Sequence, residues 1–505
     1  MSPLLLVLLG LLVLVLLRGR TRRVGEPPLI TGWIPYLGKA LEFRKDAHAF
    51  LEEQRRRHGD VFTVYIKGNY MTFIMNPLMY PNIIKHGRQL DFHKFTNVVA
   101  PYTFGYPPVD DVRFPGLGDK ISSSFHLLQG SNLTLLTESM MANLMAVFRQ
   151  DYLNEASDHW RTGLAYDFCT SVMFEATFLT MYGRPPSGWR HPGMGPMKDD
   201  FLRFDTMFPL LIAQTPLWLL GNTEATRLKL INHFLPQKMS QWSNRSKFIQ
   251  QRAETFDQYD TLKDMDKAAH HFAILWAAVG NTAPATFWSM YYLMSHPEAL
   301  QTVRQEIQDV LNQSGVQICC DRDIVLSRDQ LDRLLYLESA INESLRLSTA
   351  SMNIRVVEED FHLRLDSERS VAVRKGDIIA LYPQSVHMDP EVYEDPQSFR
   401  FDRFLVDGRE RTDFYKDGQR LKFYLMPFGS GSTMCPGRHF AINEIKQFLC
   451  LLLVYFDLDL DHQQRTTLDC SRAGLGILQP TKDVHFRYRL RTATDHHSPP
   501  QTTTD

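Results

Sequence analysis

Between about residue 39 and residue 492 the chain has no low-complexity linker and no fixed-period repeat, while long amphipathic patterns follow one another through its middle. That continuity constrains the fold more than any other feature. Apolar residues recur at helical spacing over about 134–153, 165–182, 225–256, 267–295, 297–312 and 328–348. Such stripes must be buried against one another. With no break at which small domains would separate, 505 residues read as one large helical unit behind a short leader. Strand patterns flank the helices: 61–75 alternates around Gly68-Asn69, and 353–364 and 371–382 alternate again before a last helix over about 438–454. The expected fold class is mainly α with small β-sheets, an α+β arrangement.

One apolar run stands outside this pattern. Leu4 to Leu17 carries no polar side chain, and Arg18, Arg20, Arg22 and Arg23 follow at once. Seventeen helical residues span about 25 Å, close to the ~27 Å hydrocarbon core of the endoplasmic reticulum. A cleaved signal peptide has its basic residues before the apolar run and small residues after it. Here the order is reversed. Residues 1–17 are therefore read as a single transmembrane anchor, with Met1 lumenal and the arginine side cytosolic in the endoplasmic reticulum membrane. Residues 18–38, basic and rich in Pro and Gly, are expected as a stiff stalk, 39–492 as the catalytic domain and 493–505 as a frayed tail. A cytosolic body makes the four Asn-x-Ser/Thr matches at Asn132, Asn244, Asn312 and Asn342 chance occurrences. Residues 208–220, apolar with two prolines, suit a loop that either packs on the core or touches the bilayer.

Charge and cysteine content narrow the function. A net charge of −2 argues against a nucleic-acid binder acting by bulk electrostatics, and six cysteines in 505 residues make no disulfide framework. One cysteine is different. Phe428-Gly-Ser-Gly431-Ser-Thr-Met-Cys435-Pro-Gly437 runs directly into the last helix. Glycines there let backbone N–H groups converge on sulfur, and the helix dipole favours a thiolate. Zinc would need further Cys or His ligands at short spacing, and His439 alone lies within one turn. A nucleophilic cysteine would need a histidine base, which the sequence neither supplies nor excludes. Haem iron needs only one axial thiolate and leaves the opposite face open. The pattern F-x-x-G-x-x-x-C-x-G arises by chance in about one in a thousand chains of this length.

On these residues the sequence resembles a cytochrome P-450 from the anchor to about residue 492. Glu343-Ser-Leu-Arg346, about 90 residues before Cys435, resembles the family's E-x-x-R, and Phe401-Asp402-Arg403-Phe404 the segment whose arginine completes a buried Glu-Arg-Arg network. Ala278-Val-Gly-Asn281-Thr282 resembles its oxygen-activating helix kink. Departures are Asn281 where an acid is usual, Val279 where Gly is usual, Thr433 where a base is usual, and the absence of any W-x-x-x-R. Together with the proline-rich start and Leu136-Thr-Glu-Ser-Met-Met141 they resemble the sterol-metabolising families seven and eight, most of all their oxysterol 7α-hydroxylases.

The resemblance implies a membrane-anchored monooxygenase of a sterol or oxysterol, with haem b held by Cys435 and by the Phe428, Gly431 and Gly437 turn, and with Arg355 as a propionate partner. It uses O2 and electrons from NADPH through a cytochrome P-450 reductase, since no dinucleotide fingerprint marks an NADPH site here. Thr282 is the expected proton relay, with Pro284 freeing a carbonyl; the duller reading is a helix threonine bonding backwards. Asn281 is expected to hold a relay water or to anchor a sterol oxygen. Met352 and Asn353 are expected in the pocket wall rather than in a solvent-facing turn. Lys416, Arg420, Lys422, Arg438 and Lys446 would dock the acidic reductase. Rival readings are an isomerase like prostacyclin synthase and a non-catalytic haem or sterol carrier.

Overall fold

Two left-handed residues close the first strand pattern. Lys67 (φ 45°) and Gly68 (φ 81°) turn Val61–Ile66 (β2) into Asn69–Ile74 (β3), the conformation a tight two-residue hairpin needs. In this computed structural model, which describes residues 20–154, 159–186, 188–315, 323–461 and 463–491 together with Gly10, the hairpin lies within a six-stranded sheet. Leu29–Ile30 (β1) and Leu90–Asp91 (β4) are its edges, and Asn353–Val357 (β6) and Ile378–Leu381 (β9) complete it in the order β1-β2-β3-β9-β6-β4. The 353–364 and 371–382 patterns each divide, because Phe361–Arg364 (β7) and Ser370–Val373 (β8) pair with each other instead. A smaller antiparallel sheet joins Phe456–Leu460, His485–Leu490 and Arg161–Leu164 (β5).

Helices make up most of the rest. The largest apolar cluster is built by Gly130–Phe148, Ala165–Tyr182, Asp264–Val279, Thr282–Ser295, Leu335–Ser348 and Arg438–Tyr455. Ala165–Tyr182 is apolar nearly all round and fifteen of its eighteen residues are buried, as expected of a helix at the centre of a core. The small β-sheets and dominant helices agree with the expected fold class. Among the described residues no helix is long and apolar enough to cross a membrane. The anchor expected over 1–17 and the tail over 493–505 lie outside the described residues, Gly10 apart.

Three expectations need correction. The 225–256 stripe is not one helix: Pro236 lacks the N–H to continue a ladder, so Thr223–Asn232, Pro236–Met239 and Lys247–Asp257 are separate, the last capped by Ser246. The loop expected from residue 208 begins later, since helix Met194–Ile212 runs through Pro209. The carbonyl of Asp205, four residues before that proline, accepts from Arg472 Nη1 at 3.0 Å, which replaces the lost helical bond. Finally, residues 20–38 do not stand off as a stalk. β1 pairs with β2, the Arg20 amide donates to the Tyr70 hydroxyl at 3.0 Å, and Glu26 is ion-paired to Arg20 and Arg374. Burial raises the Glu26 pKa, but hydrogen bonds from Arg374 and the Arg23 amide outweigh it and bring the carboxyl to about 2.

Candidate active site

The glycine-rich turn forms as its sequence requires. Gly429 (φ 77°) and Gly431 (φ 65°) take left-handed conformations that reverse the chain, so that the Cys435 amide donates back to the Phe428 carbonyl at 2.8 Å. A Cβ on Gly431 would meet Ile84 Cγ2 at 2.5 Å. Helix Arg438–Tyr455 begins three residues after the cysteine. Burial raises the Cys435 thiol above its ordinary pKa, opposed by the Gly437 and Arg438 amides and the Arg438 charge. The converging N–H groups are therefore present, but without a cation on the sulfur desolvation wins.

Cys435 lines a largely apolar cavity of about 550 Å³. Opposite it runs a helix broken in two: Asp264–Val279 ends, Gly280 and Asn281 form a turn, and Thr282–Ser295 resumes. Pro284 causes the break by having no N–H for the Gly280 carbonyl. Thr282 lines the cavity and donates to the Ala278 carbonyl at 2.9 Å, the backward bond of the duller reading. Asn281 Oδ1 accepts from the Ile477 amide at 3.0 Å, tying the break to a loop, residues 474–477, that also lines the cavity. A sequence reading had no means of finding that loop, which lies almost 200 residues from Asn281. Met352, Asn353 and Arg355 line the cavity as well, with Phe428 and Gly437, whereas Gly431 is not among its lining residues.

Beneath the turn sits a buried network. Glu343 accepts from Arg346 Nε and Nη2 at 2.7 and 2.8 Å, from Arg403 Nε at 2.8 Å and from the Arg400 amide at 3.1 Å. Arg346 and Arg403 spend their remaining nitrogens on carbonyls of residues 387–398. His387 Nε2 in turn accepts from the Met426 amide at 3.1 Å, two residues before the cysteine turn. A carboxylate shared by two guanidiniums is a positioning device rather than a source of stability.

Polar groups left without partners test whether a haem fits. Arg355 bonds only the Ile354 and Ser430 carbonyls and the Thr433 hydroxyl, and no ion pair is formed by it among the described residues. Asn353 Oδ1 accepts from the Ser430 hydroxyl at 3.3 Å, while its buried Nδ2 has no partner. A base and an amide donor beside a single thiol, at the rim of a large apolar cavity, suit the propionates and iron of a haem. Among the described residues no group of three or more His, Cys, Asp or Glu side chains is placed to hold a metal ion.

A helical fold that presents one cysteine sulfur to such a cavity, across from a broken helix, defines a haem-thiolate protein. The sequence model of the family Cytochrome P450 matches residues 27–486, and the chain belongs to that family. It is 42% identical to Cytochrome P450 7B1 of Mus musculus, over 97% of each chain. It is 43% identical to Cholesterol 7-alpha-monooxygenase of Cricetulus griseus, over 94% of this chain and 95% of that one. It is 40% identical to 25-hydroxycholesterol 7-alpha-hydroxylase of Rattus norvegicus, over 82% of this chain and 99% of that one. Haem with a cysteine thiolate, O2 and reductase-supplied electrons follow from membership of the family.

The expected basic docking face is smaller than the sequence implied. Lys416 is buried between Asp389 and Glu391 at 2.8 and 2.9 Å, and Lys446 is buried against the Leu331 carbonyl and Glu338 at 2.8 and 2.6 Å. Both charges serve internal pairs, leaving Arg420, Lys422 and Arg438 on that side. The sequence reading also missed Glu444, a fully buried acid in the cavity wall whose one signal was a carboxylate in the middle of an apolar helix.

Proposed function

We propose that this chain is a membrane-tethered sterol monooxygenase whose reaction is 7α-hydroxylation of an oxysterol or cholesterol. The observation that carries the reading is the cavity: about 550 Å³, walled mostly by apolar side chains, with Cys435 on one side and the Asn281 amide at the helix break on the other. Its sequence relatives named for 7-alpha-hydroxylation, similar along nearly the whole chain, give the sterol class.

Bound haem would supply activation of O2 and insertion of one oxygen atom into a C–H bond. Cys435 would hold the iron, and Arg355, Asn353 and Thr433 the propionates. The chain's own part is binding and proton handling. Phe208, Ile212, Phe248 and Ile274 exclude water and bury the ring system, the main source of affinity for an apolar ligand. With Oδ1 engaged by Ile477, Asn281 keeps its amide N–H for a sterol oxygen. Thr282, at the break, holds a hydroxyl proton at the cavity wall and is taken as the relay. Glu343, Arg346 and Arg403 keep the cysteine turn in register.

Residues 39–492 are taken as one catalytic domain, tethered by 1–17 to the endoplasmic reticulum membrane on its cytosolic side. Trp33 and Trp218, 88% and 80% exposed with Leu219 beside the latter, favour a second bilayer contact by residues 213–220 over a core-packed loop. Electrons would come from an NADPH-dependent reductase docking by Arg420, Lys422 and Arg438. The deciding experiment incubates the full chain, reductase and 25-hydroxycholesterol with and without NADPH and identifies the product. A 7α-hydroxylated sterol formed only with NADPH supports the reading. Turnover of a lipid peroxide without NADPH, as for an isomerase, or no turnover at all, overturns it.

A further inference from the structure

Helix Lys247–Asp257 buries a positive charge that no carboxylate answers. Arg252 is 4% exposed and takes part in no ion pair among the described residues. Its one hydrogen bond there runs from Nη1 to Ser124 Oγ at 3.4 Å, near the limit for such a bond, and its buried Nε has no partner. Nearby carboxylates are engaged elsewhere or face solvent: Asp257 pairs with Lys267 at 2.8 Å, Asp266 accepts from the Lys263 amide, and Glu254 is exposed. What surrounds the guanidinium is aromatic. Its carbon lies 5.9, 5.5 and 5.3 Å from the ring centres of Phe125, Phe248 and Phe256.

A buried cation without an anion is costly, and cation–π contacts return only part of that cost. Burial draws Arg252 down to about 10, opposed by the Tyr182 and Tyr106 phenols, so it is charged at neutral pH. Its neighbours repeat the imbalance. His270 stacks on Tyr106 and Phe256 at 3.8 and 4.9 Å, and its buried Nε2 has no partner. His271 meets Phe256 edge-on at 5.5 Å, and its buried Nδ1 has none either. Burial, with the Arg252 charge adding to it, holds His270 well below its ordinary pKa and brings His271 to about 3. Each ring is therefore neutral and has one N–H to give. Donors that outnumber acceptors in a dry site are matched by an anion.

Position narrows which anion. Phe125 and Phe248 also line the cavity of Cys435, so the guanidinium is one aromatic ring away from it. On the same helix, His271 lies about 10 Å along the axis from Ala278, whose carbonyl meets Thr282 at the break. With C7 of a sterol at the reacting end, the tip of the side chain reaches that depth. The C3 oxygen, on the adjoining ring, does not.

We propose that Arg252 is a specificity residue for a carboxylate at the end of the substrate's side chain, so that this chain takes sterol acids in preference to the corresponding alcohols. The inference rests on the sterol reading above. Turning one phenylalanine ring aside brings the carboxylate against Nε and Nη2 as a bidentate pair, with a histidine N–H as a further donor. A terminal hydroxyl, being neutral, leaves the buried charge unmet.

The test follows ligand-induced spectral shifts of full-length, haem-loaded protein, as wild type and as Arg252→Met. Three probes are compared: cholesterol with a terminal side-chain hydroxyl, the same sterol oxidised to the carboxylic acid, and cholesterol 3-sulfate. Wild type should bind the acid about tenfold more tightly than the alcohol, and Arg252→Met should lose that preference while keeping its affinity for the alcohol. Equal wild-type affinity for acid and alcohol overturns the proposal, as does a preference that survives in Arg252→Met. An advantage confined to the sulfate would put the anion at the C3 end and refute the side-chain assignment. Acid and alcohol weakened alike in the variant would make Arg252 a structural residue only. If neutral sterols are bound and hydroxylated but the acid has no advantage, the acid recognition alone is wrong; if wild type binds none of the three and turns over no 25-hydroxycholesterol, the sterol reading falls with it. Should Arg252→Met fail to fold, Arg252→Lys decides, since it keeps the charge without the bidentate fork: a reduced preference supports the proposal and an undiminished one counts against it.

Discussion

Arg472 Nη1 donates at 3.0 Å to the carbonyl of Asp205, the one group that Pro209 leaves without a helical partner, while Nη2 pairs with the Asp205 carboxylate at 2.9 Å. The same carboxylate accepts from Trp276 at 2.8 Å and Gln479 at 2.6 Å. One buried acid thus fastens helix Met194–Ile212 to the helix bearing the break and to the loop that meets Asn281. Phe208, stacked on Trp276 at 3.8 Å, becomes part of the cavity roof by this arrangement.

Arg472→Met should accordingly act at two levels. It strands the Asp205 carboxylate beside fewer donors, at a cost of about 3–5 kcal/mol as for a broken buried pair. Thermal unfolding is expected to move down by several degrees, and the sterol-induced spectral shift to need a higher ligand concentration. An unchanged unfolding midpoint would show that the pair contributes nothing.

Glu343→Gln should damage haem retention rather than substrate binding. Two guanidiniums, Arg346 and Arg403, would face a neutral amide in a site from which water is excluded, again about 3–5 kcal/mol. The expected result is protein that expresses but carries little haem, read from the ratio of Soret to protein absorbance. Full haem occupancy would mean the network does not hold the cysteine turn.

Buried neutral histidines set the acid limb of stability. Burial brings His271 and His387 to about 3 and His270 well below its ordinary value, with the Arg252 or Arg346 charge adding to the effect. In the unfolded chain each titrates near 6.5. The unfolded state therefore binds more protons below that pH, and stability rises with pH. It is complete above about 6.5 and is lost as pH falls from there toward 3, by up to about 1.4 kcal/mol per pH unit for each histidine. Urea unfolding at pH 7.5 and 5.5 measures this, and His387→Gln should flatten the difference. A midpoint independent of pH in that window would refute it.

What the sequence disclosed and what it withheld divide by distance along the chain. Cys435 with its glycines, Glu343 with Arg346, and Asn281 with Thr282 are each local, so spacing and turn chemistry expose them. Arg403 was found through a motif rather than through geometry. Asp205 and Arg472 are 267 residues apart, and nothing in either neighbourhood names the other. Lys416 and Lys446 misled for a related reason: charge is visible in a sequence, whereas the internal carboxylates that consume it are not. The 225–256 stripe failed differently, because its apolar period hid Pro236, a breaker that was present to be read.

Gly476→Ala offers the sharpest separation between substrate and haem. Gly476 sits at φ 120°, a conformation L side chains avoid, and a Cβ there would lie 2.2 Å from Asn281 Oδ1. Asn281 must swing away, and the Ile477 amide loses its acceptor. The cysteine turn, the Glu343 network and Arg355 lie on other segments, and the atoms nearest a Cβ on Gly476 all belong to Asn281. Sterol affinity is therefore expected to weaken about tenfold, equivalent to about 1.4 kcal/mol. The carbon monoxide difference spectrum should keep its thiolate-type band at full intensity. Loss of that band along with the sterol shift would show that the loop supports the haem side as well, and an unchanged sterol affinity would remove Asn281 from the pocket wall.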